Sequence, residues 1–404
     1  MTDAVMDPKD YDAVLLASFG GPEGQDDVIP FLRNVTAGRG IPDERLEEVA
    51  THYRANGGIS PINEQNRALK EALEQELAAR SLELPVYWGN RNWAPYFNDT
   101  VADLHRDGHE RVLVLTTSAY SCYSSDRQYR EDMAGGILAN ELQGRIELDK
   151  IRQYFNHPGF IEPFAEGLRD GLRSLREELD VAGATGQIRI LFATHSIPTS
   201  DAAAAGPRDL AEQLRAEAGA EPGEANGADV YSAQHLDAAA EVLKLVPEAE
   251  GLSWDLVYQS RSGAPHIPWL EPDINDAMEQ LVEEHDVAGF VVVPLGFVSD
   301  HMEVLWDLDT EAKETAERLG VGFRRTPTPG THPQFVSGLV DMIEERLGRR
   351  EGRAAVGRFD AWYDTAPADD SVKLNRDGER RPTVGAADAD VVNELTAERE
   401  PGQV

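Results

Sequence analysis

The sequence predicts an α/β protein of two similar doubly wound domains with four-stranded parallel sheets and a cleft between them. Three observations carry that reading. Apolar, β-branched runs alternate with helical stretches through residues 12–348, the pattern of parallel sheets covered on both faces. The rhythm occurs twice, with about four strands per half. Several strands end at turns followed by polar, chemically capable loops, and open α/β sheets place their sites beyond that carboxyl edge. One continuous sheet is the alternative that periodicity leaves open.

At 404 residues, the chain can bury one large core or two ordinary domains. Hydrophobic content is 41%, and no apolar run is long enough to cross a membrane. Residues 1–11 show no signal peptide, and the single cysteine, Cys122, excludes a disulfide framework, so the cytoplasm is the expected compartment. The net charge of -35 argues against nucleic acid and anionic membrane surfaces, which would repel the chain.

The first strand, residues 12–18, ends in Phe19-Gly20-Gly21-Pro22. That turn lacks the dinucleotide fingerprint and the phosphate-loop lysine, so its glycines let the backbone lie close to a flat ligand or another loop. Helical patterns follow at 25–35, 43–55 and 62–80, with Ser60 placed to cap the third. Strand 86–88, helix 96–107 and strand 112–116 lead to Ser118–Arg130, rich in hydroxyls and aromatics that can line an amphipathic cavity. Cys122 reads there as a small apolar filler. Helix 126–141 and strand 146–155 close the first domain, expected at 1–158.

The second domain, expected at 159–348, opens with helix 160–178 and strand 188–193, which runs into Thr194-His195-Ser196-Ile197-Pro198. A proline three residues after the histidine stops the strand. Helices 207–219 and 235–245 flank a surface loop at 217–228 and lead to strand 256–258. Trp269 then sits between two prolines, a rigid candidate wall. Helix 273–285 and strand 289–295 precede the acidic stretch from Gly296 to Glu311, and strand 322–324 and helix 333–348 complete the domain. Residues 349–404 have little periodicity and read as an acidic, mostly disordered tail.

In the acidic stretch, carboxylates fall at Asp300, Glu303, Asp307 and Glu311. As a helix they share one face, with Met302, Leu305 and Trp306 on another. Like charges four apart repel, so the row needs open water or a cation. A solvated helix face is the plain alternative. Against it, His195 and Glu303 would both leave carboxyl ends of neighbouring strands, where an imidazole facing a carboxylate can act as a base or ligate a borderline divalent metal. No Gly-x-Ser-x-Gly elbow supports a serine hydrolase.

Six segments together resemble the ferrochelatase family, which inserts Fe²⁺ into a porphyrin. They are residues 19–22, 57–61, 194–198, 259–260, 268–270 and 296–303. They occur in the family's order and span residues 12–348. The resemblance implies flavodoxin-like domains and an interdomain porphyrin cleft. It implies His195 and Glu303 as the catalytic pair at the metal insertion point, with Asp307 and Glu311 continuing a carboxylate row that relays metal or protons. It is closest to actinobacterial members similar to coproporphyrin III ferrochelatases, lyases of heme biosynthesis whose product is coproheme. The expected partners are a small-molecule porphyrin and ferrous iron as substrates, with at most transient contact with neighbouring heme-pathway enzymes, for a monomer with no stable membrane insertion.

The chain departs from the family in three places. Phe19 stands where firmicute members carry a tyrosine. An iron–sulfur cluster takes about four thiolates, so one cysteine implies no cluster and no tightly bound cofactor. The propionate-gripping arginines of firmicute members fall on Thr36, Ala37 and His52, leaving Arg39, Ser60, Arg91 and Tyr129, with Phe19 and Trp269, as expected substrate contacts. The competing readings are a protoporphyrin IX ferrochelatase, a chelatase for cobalt or nickel, and a non-catalytic porphyrin or metal carrier.

Overall fold

The structure, a computed structural model, describes residues 4–38, 40–262, 266–374, 378–391 and 393–396. The first half contains β1 (Ala13–Ser18), α1 (Val28–Val35), α2 (Asp43–Ala55), α3 (Ile62–Ala79), β2 (Val86–Asn90), α4 (Phe97–Arg106), β3 (Arg111–Thr116), α5 (Gln128–Ala139) and β4 (Glu147–Lys150). Helix α6 (Pro158–Ala182) leads into β5 (Gln187–His195), α7 (Thr199–Ala203), α8 (Arg208–Ala218), α9 (Val230–Lys244) and β6 (Trp254–Gln259). The chain continues through α10 (Ile274–Glu284), β7 (Val287–Val293), α11 (Met302–Trp306), α12 (Lys313–Leu319), β8 (Gly322–Arg325) and α13 (Pro333–Arg346).

The strands form two four-stranded sheets ordered β2-β1-β3-β4 and β6-β5-β7-β8, every pairing parallel. The second sheet therefore repeats the first, as expected, and a single continuous sheet is excluded. Each order reverses at its second strand, so β5 and β7 leave a crevice between them at their carboxyl ends.

Alternate residues of one strand serve different cores, which is why the runs are apolar throughout. Val14, Leu16, Leu113 and Leu115 share one large core with Ile190, Phe192, Val291 and Val293 of the second half. On the opposite faces, Leu15 and Val114 pack beneath Phe97 and Met133, while Leu191 and Phe290 pack beneath Ile274, Val304 and Leu308. The two halves are thus joined by continuous apolar packing.

Several boundaries differ from the sequence reading. The segment 146–155 pairs as a strand only over Glu147–Lys150; the rest is buried without a ladder. Helix α9 starts at Val230, where Asp229 accepts the Ser232 N–H, and the short α7 has no clear periodic signature. Ser60 does not cap α3. Its N–H instead bonds the Pro22 carbonyl at 2.9 Å, and a Cβ on Gly21 would lie 2.7 Å from the Ser60 Cβ. The glycine turn is therefore built for approach of another loop.

The described part of the tail is the largest correction; residues 375–377, 392 and 397–404 lie outside the described residues. Phe359, Trp362, Tyr363, Val384, Ala386 and Val391 are buried, and Phe359 and Trp362 pack edge-on to Phe155. Buried arginines of the body complete the contact: Arg127 pairs with Asp388 at 2.9 Å, Arg130 donates to the Asp364 carbonyl at 3.0 Å, and Arg346 meets Asp364 at 3.5 Å. The partners of these scattered aromatics and acids lie outside the segment, so local composition misjudged it.

Candidate active site

His195 closes β5, and in the sheet register it stands beside Gln259, the last residue of β6. Its Nδ1 contacts the Ser196 carbonyl. A carbonyl only accepts, so Nδ1 carries the hydrogen and the neutral ring keeps its basic lone pair on Nε2. That nitrogen lies 3.4 Å from Glu303 Oε2.

Glu303 reaches this position through the β7 exit. The Gly296 N–H bonds the Ala193 carbonyl at 3.1 Å, drawing the loop against β5. A Cβ at Gly296 would stand 2.7 Å from Thr194 Cβ and 2.9 Å from Thr194 Cα. Gly296→Ala should therefore destabilise the fold by about 1–3 kcal/mol, the usual overpacking cost. An unchanged denaturation midpoint would contradict this contact. Beyond the loop, His301 caps α11, its Nδ1 accepting the Glu303 N–H at 3.2 Å, and its ring lies edge-on to Phe297. Met302 fixes the helix to the other half by packing among Val28, Phe31, Leu46 and Tyr53, and Trp306 stacks on His52 at 4.1 Å.

The acidic row does not continue as an α-helix. Asp307–Ala312 form a π-helical turn, a feature that recurs at functional sites. Asp300 lies before the helix, held by Arg325 at 3.2 Å. Asp307 accepts from Ser260 Oγ and from Gln259 Nε2 at 3.3 Å. Glu311 accepts the Trp306 indole N–H at 2.8 Å. Among the described residues no three His, Cys, Asp or Glu side chains form a ready metal cage, so His195, Glu303, Asp307 and Glu311 make a file rather than one coordination shell.

The electrostatics separate the members of that file. Burial disfavours the charged His195 ring, but Glu303 outweighs it and raises the pKa to about 8. Glu303, half-exposed but partly desolvated in the crevice, which opposes its charge, is lowered to about 2 by His195. Burial and then the Glu303 charge raise Asp307 to about 7. Near neutrality, an imidazolium–carboxylate pair therefore sits beside a carboxyl that exchanges its proton readily. Buried Tyr53 stays protonated above both carboxylates for the same reasons.

The profile described as ferrochelatase matches residues 11–347. The coproporphyrin III ferrochelatase of Leifsonia xyli subsp. xyli is 55% identical over 370 residues, covering 90% of this chain and 92% of its own. The chain belongs to the ferrochelatase family. That of Streptomyces griseus subsp. griseus is 51% identical over 369 residues, at 89% and 93% coverage. A ferrochelatase of Rhodopirellula baltica is 43% identical over 362 residues, at 89% and 93%. Among solved structures, the sirohydrochlorin chelatase SirB of Bacillus subtilis subspecies spizizenii with cobalt superposes at a TM-score of 0.43 and 8% identity, over 86% of this chain and 99% of that one.

As a ferrochelatase-family enzyme the chain is a metal chelatase, and its other expected contacts are placed unevenly. Phe19 follows β1, is 38% exposed and lies edge-on to Phe31. Trp269 is half-buried, and its segment is stitched to the His195 exit: Leu270 N–H bonds the Ile197 carbonyl and Thr199 N–H bonds the Pro268 carbonyl, both at 3.0 Å. Ser60 is buried beneath Gly21. Arg91 is already engaged, bonding Asp132 at 2.6 Å and Gln128 at 3.1 Å above the buried Tyr129 ring. Neither Ser60 nor Arg91 offers a free group comparable to an exposed arginine. Arg39 lies outside the described residues. Sequence reasoning gave no role to Gln259 and Ser260, which hold Asp307; their place at the end of β6 was the available signal.

Proposed function

We propose that this enzyme is a coproporphyrin III ferrochelatase, inserting Fe²⁺ into coproporphyrin III to give coproheme with release of two protons. The observation that carries the chemistry is the 3.4 Å approach of His195 Nε2 to Glu303 at the crevice between β5 and β7. Insertion must remove two pyrrole protons and strip water from the ion, so it needs a base with a carboxylate behind it on one face of the macrocycle. His195 supplies the base, Glu303 steadies the imidazolium that forms, and Asp307 can pass a proton outward because its pKa is near neutrality. Glu311 continues the file. Phe19 and Trp269 supply aromatic surface for a flat ligand. Each product then holds one metal in place of two N–H hydrogens, and charge balances with the two protons released.

The choice of coproporphyrin rests on the relatives named for it, at 50–55% identity. Anaerobic insertion assays with both porphyrins test it. We expect turnover with coproporphyrin III well above that with protoporphyrin IX; equal or reversed rates would overturn the assignment. A carrier would instead give a stoichiometric signal without turnover.

We further propose that the enzyme works without a resident iron–sulfur cluster. Cys122 is the only thiol of the sequence and is buried beside Ser124. No helix among the described residues is long and apolar enough to cross a membrane. We also propose a cytoplasmic monomer that meets its pathway neighbours transiently.

A further inference from the structure

Behind His195 lies a buried polar cluster that the insertion chemistry does not use. Thr194, Gln234 and His235 are fully buried, Tyr231 and Tyr120 nearly so. Burial lowers the His235 pKa to about 3, so its ring is neutral and carries one N–H. Nδ1 lies 2.7 Å from the Tyr231 carbonyl, which only accepts, and therefore holds that hydrogen. Nε2 must then accept from Thr194 Oγ1, 2.9 Å away. The Tyr231 hydroxyl hydrogen is left with two acceptors, Thr194 Oγ1 at 2.9 Å and the His195 carbonyl at 3.0 Å. The His235 and Thr194 hydrogens each have one direction, and the Tyr231 hydroxyl carries the cluster to the backbone of the proposed base.

The same cluster holds the other catalytic loop and the other half of the molecule. Tyr120, from the exit of β3, stacks on the His235 ring at 3.5 Å. Its hydroxyl donates to the Leu295 carbonyl at 3.1 Å, just before Gly296 and the Glu303 loop. Ser121 N–H bonds Gln234 Oε1 at 2.8 Å, and Gln234 Nε2 returns a bond to Ser121 Oγ at 2.9 Å. The exits of β3, β5 and β7 thus meet at one end of α9.

We infer that Tyr231, Thr194 and His235, braced by Tyr120, are positioning residues that set the spacing of His195 and Glu303. The inference rests on His195 and Glu303 being the reacting pair. A displacement of about 1 Å in such a pair can cost on the order of a hundredfold in rate. None of these side chains needs to touch the porphyrin, so the effect belongs in kcat rather than in substrate binding.

The test is steady-state iron insertion by the full-length enzyme, with porphyrin binding followed by fluorescence quenching. Tyr231→Phe keeps the ring and removes the donor to the His195 carbonyl. We expect kcat to fall roughly ten- to a hundredfold with KM for porphyrin within about twofold. Thr194→Val should fall similarly, while Thr194→Ser, which keeps the hydroxyl, should stay near wild type. If Tyr231→Phe does not fold, the Thr194 pair decides. Wild-type kcat in Tyr231→Phe and Thr194→Val, or an equal loss in Thr194→Ser, overturns the inference. An active His195→Ala enzyme would instead overturn the underlying assignment of the base.

Discussion

Replacing His195 with alanine is expected to lower iron insertion by about a hundred- to ten-thousandfold, the range that loss of a positioned base costs. Porphyrin binding should remain measurable, because the aromatic surfaces at Phe19 and Trp269 do not depend on the imidazole. The substitution removes the imidazole base at the β5–β7 crevice, and Glu303, its carboxyl lowered to about 2, cannot replace it. With the ring gone, the nearest cation to that carboxylate is lost, yet the side chain remains half-exposed and can be solvated. The fold should therefore survive, since the strand runs through residues buried on both faces before it reaches His195. A variant that turns over near the wild-type rate would remove His195 from the chemistry altogether.

What could be read from the sequence was whatever depends on local pattern. Runs such as residues 12–18 and 289–295 are apolar because both sides of each strand are covered, and that signature is strong in a single chain. His195 closes such a run, and Glu303 lies past the loop that leaves another, which is why both stood out in the sequence. The register of the acidic residues was not. An α-helical reading aligns Asp307 and Glu311, but the π-helical turn is set by packing of Leu308 and Ala312 against the sheet. Arg91 was read as a substrate contact, and its tie to Asp132, far along the sequence, left no local signal. The packing of residues 349–374 and 378–391 was hidden for the same reason, since their aromatic and acidic residues find partners such as Phe155 and Arg130 in the body. Thr194 and His235 were invisible as a pair, one in a strand and one in a helix.

Glu303→Gln should have the second large effect, and its pH dependence distinguishes two roles for the carboxylate. The raised pKa of His195 depends on the negative charge of Glu303. A base must be deprotonated to act, so the wild-type kcat/KM should climb with pH through about 8. The amide removes the charge while keeping the shape. Burial, which opposes the imidazolium, then dominates, and the limb should move below that value toward or beneath the ordinary histidine range. At pH 7, more of the variant's His195 is neutral than in the wild type. If Glu303 only tuned the ring, activity at that pH would rise. If it also steadies the imidazolium formed in the step or faces the incoming iron, as the acidic file suggests, activity should fall about a hundredfold despite the larger fraction of free base. We expect the lowered limb and the lost rate together. The linked stability has the opposite sign. A raised histidine pKa favours the folded state most below the unfolded value of 6.5 and loses that contribution as pH rises through about 8. Wild-type enzyme should thus lose a little stability over the interval in which it gains activity, and Glu303→Gln should lack that stability loss and show its activity limb at lower pH. An unshifted activity limb in the variant would mean that the titrating group is not His195.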